Sequence, residues 1–217
     1  MARASYSCPG WYLLPVLVVT LTGGIGAGKS SAAALLVERG AVLVDADACA
    51  REIQAAGGRA FAGMVDLFGE GAVNDDGELN RPAIAAVVFS DKDMLTKLNA
   101  LMFPLIGAEV LARIEANAAT DNVVLLDIPL LGMSGNNYNA AALIVVDCPT
   151  EVALERVVTG PRQMKREDAQ ARIAAQISRE ERLKLADFVI DNSGGEADLK
   201  LAVGACWDWI SALPRKS

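Results

Sequence analysis

Histidine is absent from all 217 residues. That excludes a histidine general base, a Ser-His-Asp triad and any imidazole metal ligand. Cysteine is scarce, and Cys8, Cys49, Cys148 and Cys206 lie far apart with no C-x-x-C pair. Neither a zinc knuckle nor a disulfide framework is expected, only core thiols in a reducing compartment such as the cytoplasm. Positive charge is in deficit, with 20 Lys and Arg against 27 Asp and Glu, a net charge of −7. Without a basic footprint to displace counterions, nucleic acid is not expected as a partner, and any anionic substrate must meet a local cluster of cations. No unbroken apolar run reaches the ~18 residues of a membrane helix, so no membrane partner is expected either. The one suspicious stretch, "WYLLPVLVVTL", is interrupted by Pro15, and no small-residue cleavage site follows it. Residues 1–15 are expected to be an N-terminal extension, with the fold beginning near Val16.

Aromatics make up only 5% of the chain while apolar residues make up 53%, chiefly Ala, Val and Leu. Such a composition suits small-residue helices packed on a buried sheet. Five short runs rich in β-branched residues are expected as parallel strands: Val16–Leu21, Ala41–Asp45, Val123–Leu126, Leu143–Asp147 and Phe188–Ile190. Most lead through a polar or glycine turn into a helical pattern, the alternation of an α/β fold whose ligands bind at the carboxyl ends of the strands. The first helix should run from Lys29 to about Arg39, stopped by Gly40 in left-handed geometry. Between the second and third strands lies a long gap. Its helical stretches Phe61–Phe68, Pro82–Phe89 and Met94–Ala119 read as an insertion. Thr150 is expected to cap the next helix, and "REDAQARIAAQISREERLKLAD" to form one charged, solvent-facing helix.

The chemistry concentrates in "LTGGIGAGKSS". Gly23-x-x-x-x-Gly28-Lys29-Ser30 has the P-loop spacing, with a strand before it and a helix after it. Backbone N–H groups freed by the glycines point at phosphate oxygens, and the helix N-terminus adds partial positive charge. Lys29 reaches the β- and γ-phosphates, and Ser30 can bind Mg²⁺. A Rossmann fingerprint is excluded because Lys29 stands where the third glycine, counted from Gly24, would fall. A nucleoside triphosphate is implied, but kinase, GTPase and ATPase remain open. In "VLVDADACAR", Asp45 and Asp47 are expected to face one side of an extended strand end. One of them could orient a hydroxyl, take its proton or hold a metal-bound water; the alternative is a helix cap. Asp127, closing "VVLLD", resembles a Walker-B aspartate and is a second metal candidate. Arg162 in "GPRQM" is placed to neutralise a moving phosphoryl group from a lid. Asn192 in "VIDNSGG" is a candidate for contact with an adenine ring.

Taken together, "LTGGIGAGKS", "VDADACARE", "DIPLL" and above all "AAQISREERLKLAD" with "VIDNSG" resemble the dephospho-coenzyme A kinase family from about Val19 to Ile210. The resemblance implies a P-loop kinase fold with a five-stranded parallel core over 16–47, 122–149 and 186–217. It implies an acceptor-binding helical subdomain over 48–121 and a lid over 150–185. It implies transfer of the ATP γ-phosphate to the ribose 3′-hydroxyl of dephospho-CoA with Mg²⁺. Gly24, Gly26, Ala27, Gly28, Lys29, Ser30 and Ser31 would hold ATP. Asp47 would be the base or orienter, Arg51 would help on the acceptor side, and Arg162 would be the lid arginine. Ser30, Asp47 and Asp127 are the metal candidates. Two departures stand out: Phe103-Pro104 replaces the family's usual His-Pro, and Gly132-Met133 its usual Glu. A P-loop kinase for another small acceptor and a non-catalytic nucleotide-binding homologue are the alternatives.

Overall fold

The structure is a computed structural model and describes residues 16–128, 138–161 and 163–215. The expected extension at 1–15, Gly132-Met133 and Arg162 therefore lie outside the described residues. The chain divides into two compact units, Met1–Val44 with Ala116–Ser217, and Asp45–Glu115.

The first unit is built on five strands: β1 (Leu17–Gly23), β2 (Ala41–Asp45), β3 (Val123–Asp127), β4 (Ala142–Asp147) and β5 (Phe188–Asp191). They form a parallel sheet in the order β2-β3-β1-β4-β5. Each lies within one or two residues of its sequence-based expectation; β3 and β4, almost wholly buried, read as unbroken apolar runs. The helices of this unit are α1 (Lys29–Glu38), α6 (Thr150–Thr159), α7 (Arg166–Ala174), α8 (Arg179–Lys184) and α9 (Glu196–Ser211). The core contains Val19, Leu21, Leu36, Leu125, Ile144, Ile190 and Ile210, all fully buried. Cys206 sits in this core, and burial pushes its thiol up to about 12, as expected of an inert packing residue. Gly40 stops α1 with φ +110°, as the sequence implies.

Register fixes where chemistry can occur. Leu21 lies beside Asp127, Gly23 beside Val146, and Asp147 beside Asp191. At the carboxyl edge, the two strands that flank β1 and its glycine loop therefore end in Asp127 and Asp147.

The second unit holds α2 (Ala46–Gln54), α3 (Phe61–Phe68), α4 (Arg81–Ser90) and α5 (Lys92–Glu115). Ile53, Ala60, Met64, Leu79, Ile84 and Met102 form its own core. Asn80 caps α4 by accepting from the Ala83 N–H at 3.1 Å, and Pro82 stands in the first turn where no N–H is needed. By length and mean hydropathy α5 passes the test for a membrane span, although its sequence contains no unbroken apolar run of that length. Here it packs against α2, α3 and α4, and its Glu109 and Arg113 pair with Arg59 and Glu52. Those contacts belong to a helix of a folded unit.

Two local expectations fail. Thr150 does not cap α6: the Ala153 N–H bonds to the Pro149 carbonyl at 3.0 Å, which makes Pro149 the cap and Thr150 the first helical residue. The single charged helix is two, because Ser178 and Glu181 form a reciprocal capping box that starts α8 afresh.

Candidate active site

The loop from Gly23 to Ser30 curls through two residues that only glycine tolerates. Gly26 has φ +77°, and a Cβ there would lie 2.3 Å from the Ala153 carbonyl oxygen. Gly28 has φ +88°, and its Cβ would lie 2.1 Å from Nδ2 of Asn192. Gly28 is also the N-cap of α1 and offers no side-chain acceptor, so no cap competes for the first-turn amides. The loop thus leads into a helix N-terminus whose first-turn amides have no side-chain cap, an arrangement suited to phosphate oxygens. Gly28→Ala forces both the left-handed backbone and the Asn192 contact, at a cost of roughly 1–3 kcal/mol. The expected outcome is a lower Tm together with at least ~10-fold weaker ATP binding, read by thermal unfolding and titration calorimetry.

Asn192 is buried, and its side-chain amide donates to the Ala27 carbonyl at 2.8 Å across 165 positions of sequence. It braces the loop as well as lining the neighbouring cavity. That cavity, about 570 Å³, is bounded by Gly28, Ser31, Leu35, Asn192, Gly195 and Leu199. Its volume and its mix of apolar side chains and backbone fit a small planar ligand. Arg156 holds the far wall by donating to the carbonyls of Asn192 at 2.8 Å and Gly194 at 3.2 Å.

Lys29 opens α1 and pairs with the carboxylate of Asp127, which is 8% exposed at the end of β3. The structure therefore brings together the P-loop lysine and the Walker-B-like aspartate singled out from sequence. Ser30 and Ser31 are exposed beside them. Among the described residues no group of three or more Cys, Asp or Glu side chains gathers around a metal site. Ser30 and Asp127 instead offer one hydroxyl and one carboxylate. That is the share a protein contributes to a Mg²⁺ that keeps waters and takes phosphate oxygens, so the residues present fit that ion.

The two aspartates of "DAD" are not related as expected. Extended backbone ends at Asp45, which caps α2 by accepting from the N–H groups of Asp47 at 2.8 Å and Ala48 at 3.1 Å. Asp47 is already helical, so the period-two argument that put both carboxylates on one side does not hold. Capping takes Asp45, not Asp47. Arg51 approaches the Asp45 carboxylate at 3.6 Å. Asp47 is exposed, and among the described residues its carboxylate has no hydrogen-bond or ion-pair partner. An exposed carboxylate in the first turn of α2, with no structural task, is available for chemistry.

Sequence reasoning missed Arg156, Gln176 and Arg179. Arg179 grips the buried Asp147 carboxylate with Nε at 3.0 Å from both oxygens and Nη2 at 2.6 Å, which raises the guanidinium's proton affinity. Gln176 accepts from the Ile25 N–H at 3.0 Å. The S-x-x-E box at Ser178 was the legible clue that the segment turns back towards the sheet instead of running on into solvent.

The family model described as dephospho-CoA kinase matches residues 17–198, most of the chain. A dephospho-CoA kinase of Streptomyces avermitilis is 46% identical over 192 residues, covering 88% of this chain and 93% of its own. One of Chromobacterium violaceum is 41% identical, covering 88% and 93%. Among solved structures, a Thermus thermophilus crystal structure superposes with a TM-score of 0.74 at 34% identity, covering 89% of this chain and 97% of that one. The dephospho-CoA kinase from Campylobacter jejuni does so with 0.69 at 26%, covering 89% and 96%. With a phosphate loop, a lysine–aspartate pair and a 2-3-1-4-5 parallel sheet in one unit, and a sequence match running almost end to end, the chain belongs to the dephospho-CoA kinase family.

Proposed function

We propose that the protein transfers the γ-phosphoryl group of ATP to the ribose 3′-hydroxyl of dephospho-CoA. The carrying observation is the intact phosphate cradle, Gly24 to Ser31, inside a family match spanning residues 17–198. ATP lies with its triphosphate over the loop and its adenine in the cavity beside Asn192 and Gly195. Lys29 leaves Asp127 for the β- and γ-phosphate oxygens when nucleotide binds. Mg²⁺, held by Ser30 and by Asp127 through water, would neutralise charge on the departing ADP; Asp47 is the remaining metal candidate.

Dephospho-CoA docks through the 48–121 helices, with Arg51 on the acceptor side. Asp47 accepts the proton of the 3′-hydroxyl as its oxygen bonds to the γ-phosphorus and the bond to the β–γ bridging oxygen breaks. Arg162, in the 150–185 lid, compensates charge on the transferring group, and lid closure excludes water. Phe103 is 62% exposed in α5, where the family pattern carries histidine, so an apolar ring takes the place of a hydrogen-bonding one.

The test is incubation with ATP, Mg²⁺ and dephospho-CoA, with ³¹P NMR locating the new phosphate monoester. A 3′-phosphate on the ribose is the expected product. ATP turnover with AMP, CMP or shikimate but none with dephospho-CoA would overturn the assignment.

A further inference from the structure

The segment from α7 to α8 touches the phosphate loop's surroundings at three points, and only two are balanced. Gln176 accepts from the Ile25 amide, and Arg179 is clamped on Asp147. Three residues on, one turn along the same face of α8, Arg182 lays its guanidinium on Gly24. A Cβ at Gly24 would meet both terminal nitrogens of Arg182 at 2.9 Å. Yet the buried Nε of Arg182 has no hydrogen-bond partner, and among the described residues its side chain forms no ion pair. Burial lowers its proton affinity, and the nearby Asp147 carboxylate, already clamped by Arg179, offsets that only in part. The space around it, about 20 Å³ between Gly24, Asp147 and Arg179, has room for a water and not for a phosphate.

A purely structural arginine in this place would be expected to have found a carboxylate or carbonyl, as Arg179 has done one turn earlier. What Arg182 does have is a position against the loop that binds the triphosphate. We infer that Arg182 is a phosphate-binding residue of this kinase: on nucleotide binding its guanidinium leaves Gly24 and donates its planar fork to oxygens of the triphosphate, with Arg179–Asp147 as the pin that keeps α8 in reach. The inference rests on the functional proposal above, in that the ligand of the loop is ATP. The energetic cost in the empty protein and the gain in the complex are two sides of one arrangement, since a group kept for function is often a weak point in the unliganded fold.

That pairing makes the test sharp. Arg182→Met keeps the length and apolar stem while removing the charge. In the nucleotide-free protein its Tm should equal or exceed that of the wild type. Calorimetric titration with ATP, and separately with inorganic tripolyphosphate, should show at least ~10-fold weaker binding of both, as expected for a lost charge-assisted hydrogen bond. Arg182→Lys, which keeps the charge but not the fork, should fall between the two. Wild-type affinity in Arg182→Met, or a variant that unfolds or melts several degrees lower, would make Arg182 a structural brace and overturn the inference. Wild-type protein titrated in the same series keeps the two proposals apart. If it takes up neither ATP nor tripolyphosphate, the functional proposal itself has failed.

Discussion

Lys29→Ala should lower kcat at saturating ATP by at least ~100-fold, the scale expected when a preorganised charge is removed from a transferring phosphoryl group. Lys29 is the first residue of α1, so its ammonium stands where the helix already concentrates partial positive charge. That ammonium is paired with the Asp127 carboxylate. The pair is mostly screened from water, with the lysine side chain 25% and the aspartate side chain 11% exposed. On the proposed function, ATP would draw the lysine away from a carboxylate, because the triphosphate carries several charges and the loop amides would share in binding them. Steady-state kinetics with dephospho-CoA, alongside thermal unfolding of the same preparation, provides the check. Removing the lysine also takes a charge partner from Asp127, so a drop in Tm is expected as well. Loss of stability without loss of kcat in the folded fraction would assign Lys29 to the fold alone.

Asp47→Asn should also lower kcat by at least ~100-fold, here through lost proton acceptance, while leaving Tm within about 2 °C of the wild type. The contrast with Asp45 carries this expectation. Asp45 closes the N-terminus of α2 with two hydrogen bonds, whereas Asp47 is exposed with no partner among the described residues. Asparagine matches aspartate in shape and still accepts hydrogen bonds, but it cannot hold the hydroxyl's proton. Asp45→Ala should reverse the pattern, costing about 1 kcal/mol of stability by loss of the cap. Near-wild-type turnover by Asp47→Asn would remove it from proton transfer.

Much of this is legible in the sequence. Strand positions followed from unbroken apolar runs, and α1 followed from glycine punctuation at Gly28 and Gly40. The phosphate loop could be recognised because positive φ at Gly26 and Gly28 is a demand met within a few residues of chain. Local rules failed where two of them competed. At "DAD", strand periodicity and helix capping both applied, and capping prevailed because Asp45 could satisfy two orphan amides at once. At Ser178 a capping box overrode the charge pattern that suggested a continuous helix.

Sequence alone determined the kind of ligand this protein grips, because a glycine-lined turn between strand and helix is local geometry written in adjacent residues. Tertiary structure alone decided which distant groups hold and complete that turn. Asn192 reaches Ala27 across 165 positions and Gln176 reaches Ile25 across 151. Arg182 lies on Gly24 only because α8 is pinned at the end of β4. Such pairings follow from the parallel register of the sheet, which carries the ends of β1, β4 and β5 to one edge. No pattern of neighbouring residues encodes them, since they are set by the packing of strands that the chain leaves and revisits.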